Sequence, residues 1–137
     1  MTNAQQEREY FWNKFYELVD KENDFFIKFK VGIEYGFCSN HAHVWYDKAK
    51  CYVCFNLRDK KIYVGAPLTD NLLANKDKIS EIIERQVLVQ SGPKNKNIKN
   101  LCISFDFIAY DKENYVQVLN ENFRTIISFA RQVNLHS

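Results

Sequence analysis

Five side chains between Cys38 and Cys54 have the types and spacing to hold a metal ion: Cys38-x2-His41-x-His43, then Cys51-x2-Cys54. Thiolates and imidazoles suit tetrahedral zinc, whose structural sites take four such ligands. The local chemistry argues against it. A zinc knuckle turns tightly around its Cys-x2-Cys pair, usually with Gly or Pro. Cys51-Tyr-Val-Cys54 instead reads as a strand, which aims its two sulfurs at opposite faces. The plainer reading is cysteines that pack as small hydrophobes and histidines on a strand surface. No cofactor is then expected, and zinc is the one that the spacing would admit.

A second constellation is basic. Lys94, Lys96 and Lys99, joined by Lys60 and Lys61, could contact phosphates. Exposed lysines on a loop and a turn are common, and nothing beside them offers a base-stacking motif. The order helix, three strands, helix, strand is also that of the restriction-endonuclease-like core. Such nucleases place an acid at one strand start and Glu-x-Lys on the next, so that carboxylates hold a divalent ion. The corresponding strand here is Ile62-Tyr63-Val64-Gly65, with neither acid nor lysine. That argues against an active nuclease and leaves a catalytically empty relative as an alternative. No Gly-rich phosphate loop, Gly-x-Ser-x-Gly elbow or His-Glu-x-x-His occurs.

The elements that must position these residues centre on Cys51 to Leu68, two strands joined by the polar turn Arg58-Asp59-Lys60-Lys61. Alternation puts Cys51, Val53, Phe55 and Leu57 on one apolar face and Tyr52, Cys54 and Asn56 on a mixed one. Gly65 and Pro67 are expected to end the second arm. Before the hairpin, Phe11, Phe15 and Leu18, widened by Trp12 and Val19, mark a helix from about Thr2 to Glu22. Asp24 to Val31 alternates like a strand, Gly32 and Gly36 bracket a turn, and His41 to Tyr46 reads as a further strand. After it, Thr69 or Asp70 caps a helix carrying Leu72, Leu73, Ile79, Ile82, Ile83 and Val87, with Asn75 and Asp77 able to interrupt its start. Gln90 to Asn100 has loop composition. Leu101 to Phe107 is a strand, with Cys102, Ser104 and Asp106 on its polar face. Asp111 caps a last helix whose stripe is Val116, Leu119, Phe123, Ile126 or Ile127, Ala130 and Val133.

The 137 residues form one domain, long enough to bury a core without disulfides or metal. Hydrophobic residues at 46% and charged residues at 26% are an ordinary globular balance, and aromatics at 15% suggest a core of Phe and Tyr. A net charge of +2 is too mild to imply nucleic acid by itself. The polar N-terminus lacks a signal-peptide h-region, and no apolar run approaches the roughly 20 residues of a membrane span. The expected compartment is the cytoplasm, where Cys38, Cys51, Cys54 and Cys102 stay reduced.

The chain resembles a bacterial domain-of-unknown-function family, found alone and as the C-terminal module of restriction-nuclease-like or other defence-associated proteins. The matching pieces are Tyr10 to Tyr16, the hairpin Cys54 to Val64, Lys76 to Gln86 and Phe123 to Val133. They are mainly packing positions, and the resemblance brings no catalytic residue. It implies a small α+β accessory domain serving a DNA-related or phage-defence system. The element order is also similar to that of type III secretion chaperones, α-βββ-α-ββ-α dimers that bind an unfolded effector segment, although those are typically acidic.

The expectation is an α+β fold: a mainly antiparallel sheet of four to six strands with three helices, in the order α-β(β)ββ-α-β(β)-α. The expected function is non-catalytic interaction with a protein partner or a second copy. Nucleic-acid binding and zinc binding are the alternatives, and no membrane is involved.

Overall fold

The computed structural model describes residues 3–22, 41–46, 49–91, 96–108 and 111–136, with the backbone alone at 41–46 and 49. The strand expected over Asp24–Val31, the turn at Gly32 and Gly36, Cys38, and Gly92, Pro93 and Lys94 lie outside the described residues. Along the chain come α1 (Asn3–Asp20), β1 (His41–Tyr46), β2 (Ala49–Asn56), β3 (Lys61–Pro67), α2 (Asp70–Ala74), α3 (Lys76–Ile83), β4 (Leu88–Ser91), β5 (Lys99–Asp106) and α4 (Lys112–Leu135). The five strands form one antiparallel sheet in the order β1-β2-β3-β5-β4. The class is the α+β one expected. Among the described residues, no helix is long and apolar enough to cross a membrane.

The hairpin forms where its polar residues stand, one position earlier than expected. Asp59 donates its N–H to the Asn56 side-chain oxygen at 2.8 Å, Lys60 takes a left-handed φ of 52°, and Lys61 already pairs with Asn56. Gly65 does not end β3. It pairs with Tyr52 on one side and Cys102 on the other, and the strand runs on to Pro67. The helix expected after it is two helices. Asn75 caps both, its side-chain amide donating to the Asn71 carbonyl at 2.8 Å, a local bond that competes with helix continuation. The helical period therefore resets, which leaves Leu73 and Ile82 about half exposed and places the buried Val87 beyond the helix. Thr69 and Asp111 cap their helices as expected, accepting from the N–H groups of Leu72 and Glu113.

The main hydrophobic cluster of the described residues gathers on one side of the sheet. Val53 and Phe55 of β2, Ile62 and Val64 of β3, and Leu101, Ile103 and Phe105 of β5 face α1 and α4. Phe55 lies at the crossing point. Its ring stacks on Phe11 of α1, with centroids 4.2 Å apart and planes 2° from parallel. It also sits 5.5 Å from Phe107 beyond β5 and 4.9 Å from Tyr115 of α4. Tyr115, buried with its hydroxyl donating to the Glu7 carboxylate, then ties α4 back to α1. Its phenol titrates well above the usual range, first because it is desolvated and then because of that bond.

Phe55→Ala removes contacts to both helices and to β5 at once. It is expected to cost about 3–5 kcal/mol in urea unfolding. A loss below about 1 kcal/mol would show that the stack does not hold the layers together.

Candidate functional site

Opposite the helices, the sheet presents a second face built by strand alternation. Across β2, β3 and β5 the register sets Tyr52 beside Gly65 and Cys102 in one row, and Cys54 beside Tyr63 and Ser104 in the next. The backbone of β1 extends these rows, with His41 at the position opposite Cys54 and His43 opposite Tyr52. On β4, Leu88 and Gln90 stand opposite Cys102 and Asn100. Among the described residues no helix covers this face. It carries a shallow trough of about 400 Å³, lined by Tyr52, Cys54, Tyr63, Gln90, Asn100 and Cys102 and also by Asn56, Ser91 and the charged pair Arg58 and Asp59.

Gly65 shapes the trough. A Cβ there would lie 2.8 Å from the Tyr52 hydroxyl and 2.9 Å from Cζ, so only glycine lets that ring lie flat across β3. Burial raises the Tyr52 phenol well above its usual range, and nearby Cys102 adds to the effect. Burial also pushes the thiols of Cys54 and Cys102 up to about 11. Both are protonated at neutral pH, the form that does not attack electrophiles. The centre of the face is therefore uncharged, and charge stands at its margins. Lys61 pairs with Asp106 at 3.0 Å and Arg58 with Asp59 at 3.4 Å.

The structure separates the residues that the sequence groups together. Cys51 is buried among the core side chains, its thiol pushed up to about 12, whereas Cys54 is half-buried on the open face. The two sulfurs face opposite sides of β2, so one ion cannot take both, for the reason that alternation gives. Among the described residues no group of three or more His, Cys, Asp or Glu is placed to hold a metal. The side chains of His41 and His43 lie outside the described residues, as does Cys38.

Among the described residues the candidate lysines fall into two groups. Lys60 and Lys61 stand at the Asp106 end of β5, while Lys99 starts that strand and Lys96 precedes it, so roughly 23 Å of strand separates the two groups. Alternation already places Tyr52 and Cys54 on a mixed face, and Gly65 inside an apolar run is a signal of close backbone approach rather than of a strand end.

No protein-family model and no curated protein matches the chain. Among solved structures it is similar to YbjN from E. coli, a candidate transcription regulator, with 13% identity over 93% of this chain and 91% of that one and a TM-score of 0.45.

The three thiols whose titration burial raises set a direction for pH dependence. Each holds its proton more tightly folded than unfolded, so the stability it contributes is full below the unfolded value near 9.0 and is lost as pH rises through 11 to 12. Urea midpoints are expected to stay level from about pH 7 to 8.5 and to fall above pH 9. Native alkylation of Cys54 and Cys102 by iodoacetamide at pH 8 should run about a hundredfold slower than for an unperturbed thiol. Midpoints that rise above pH 9, or thiols alkylated at the ordinary rate, would contradict the assignment.

Proposed function

We propose that this chain is a non-catalytic interaction module and that a protein partner docks on the open face of its sheet. The observation that carries this reading is the charge pattern of that face. An antiparallel sheet with one side in water ordinarily alternates hydrophobic-in with polar-out. Here the outward centre holds two tyrosines, two neutral thiols and a glycine, while charged residues stand at the rim. Depletion of charge at the centre, enrichment in tyrosine and a polar rim are the composition of a protein–protein interface.

The same pattern speaks against nucleic acid as the first partner. Phosphate binding needs a surplus of unpaired cations on one surface. On this face Lys61 and Arg58 each have a carboxylate within 4 Å. Neutral thiols speak against nucleophilic catalysis by Cys54 or Cys102. No cofactor is invoked, and the accessory role in a DNA-processing or phage-defence system is the setting that the family resemblance suggests.

Tyr63→Lys tests the reading, since it sets a charge in the centre of the face without touching the core. Purified from cells under gentle conditions, the tagged chain is expected to retain a protein that the Tyr63→Lys variant loses, with unchanged thermal unfolding. A chain in which Lys94, Lys96 and Lys99 are all changed to Glu should keep that protein. Loss only in the triple variant, together with salt-sensitive oligonucleotide binding by the original chain, would overturn the proposal in favour of a nucleic-acid module.

A further inference from the structure

The sheet ends in a step beside a fixed cation. Leu68 donates its N–H to the Lys99 carbonyl and Phe107 donates to the Lys60 carbonyl, each at 3.0 Å, so the odd-numbered residues of β5 turn their main-chain groups toward β3. The even-numbered residues turn theirs the other way. There β4 covers Asn100 and Cys102 through Gln90 and Leu88, and it stops before Ser104. By the same alternation Val89 and Ser91 of β4 direct their N–H and C=O groups outward. No main-chain hydrogen bond among the described residues reaches those groups. From Val87 to Ser91 the edge carries no charge and no proline, the devices that ordinarily discourage strand addition.

Arg85 occupies the step. Its Nε donates to the Ser104 carbonyl at 2.9 Å, a terminal guanidinium nitrogen donates to the same oxygen, and the group lies 4.1 Å above the centroid of the Phe105 ring. Held in that way, it opens onto a hollow of about 360 Å³ lined also by Glu84, Gln86, Leu88, Gln90 and Cys102, the last three shared with or bordering the open face. Among the described residues no carboxylate stands in ion-pair contact with it; Asp106 acts on it only at longer range and is itself engaged by Lys61. A half-buried, oriented guanidinium with no carboxylate in direct contact complements one.

We propose that an extended peptide segment of the partner adds to this edge antiparallel to β4 and sets a carboxylate against Arg85. The backbone row of Val89 and Ser91 fits only another extended chain. Because β4 runs away from Arg85, an antiparallel segment runs toward it, so the carboxylate is a C-terminal one or an Asp or Glu side chain near the segment's end. This rests on the reading of the chain as a protein-interaction module and names the form in which the partner arrives.

The test uses random heptapeptides with free C-termini, selected on the immobilised full-length chain and then synthesised as acids and as amides, with and without acidic side chains. Selected peptides are expected to slow amide hydrogen exchange at Val89 and Ser91. Their binding should weaken at least about tenfold when the carboxylate is removed, with amidation implicating a C-terminus and Glu→Gln a side chain. Ser91→Pro, which removes an outward donor and none of the β4–β5 ladder, and Arg85→Gln should each weaken binding to a similar degree. The amide peptides make the same test on the unaltered chain, whatever Arg85→Gln does to folding. If no peptide is selected, or if bound peptides leave Val89 and Ser91 exchanging as before, the inference is overturned. Peptides that bind without protecting the edge and are lost in Tyr63→Lys would overturn strand addition while sparing the open-face reading; peptides indifferent to both surfaces would remove both.

Discussion

The stack of Phe55 on Phe11 is the constraint from which the rest of the structure follows. It fixes α1 over β2, and the contacts of the same ring with Tyr115 and Phe107 fix α4 and the end of β5. Aromatic pairs at such distances contribute roughly 0.5–1.5 kcal/mol beyond the area they bury, so one residue joins three elements that are far apart in sequence. With Trp12, Phe15 and Phe123 extending the cluster edge to face, the apolar surface of both long helices is used on a single side of the sheet. The opposite face is left to other work.

That division explains why an ordinary overall composition coexists with an unusual surface. Beyond a net charge of +2, charge stands in ion pairs at helix surfaces and strand ends, such as Lys14 with Glu17, Arg124 with Glu22 and Lys61 with Asp106. The middle of the open face receives none of it. Tyr52 and Tyr63 offer large rigid rings with a polar tip, Gly65 gives the first of them room to lie flat, and the thiols beside them stay neutral because they are desolvated. At the β4 border the same face meets a strand edge that no described residue pairs and the guanidinium of Arg85.

Much of the fold is legible in the sequence because its core is built on strict period. Alternation from Cys51 to Leu57 assigns the two faces of β2, and the caps at Thr69 and Asp111 stand where polar residues precede apolar stripes. What escapes the period is set by single residues. Asn75 divides a helix that Leu73 and Ile82 would otherwise extend. Glu84 ends α3 in a left-handed conformation, φ 56°, without the glycine that usually announces it, so neither β4 nor the position of Arg85 can be read from the sequence. Tyr115 and Phe129 lie outside the predicted stripe of α4 yet are fully buried, because a helix packed on both the sheet and α1 needs a wider apolar arc. The site was partly readable: the mixed face of β2 follows from alternation, whereas the value of Gly65 depends on a neighbour across the sheet. Register, not residue type, sets Lys60 and Lys61 apart from Lys96 and Lys99.

The measurement that bears most directly on this account is native mass spectrometry of the untagged chain, purified gently from cells, with an absorbance spectrum of the same sample. The account predicts the 16.3 kDa chain free of metal, alone or joined to protein, with no nucleic-acid absorbance. One zinc ion per chain, or co-purifying nucleic acid, would contradict it.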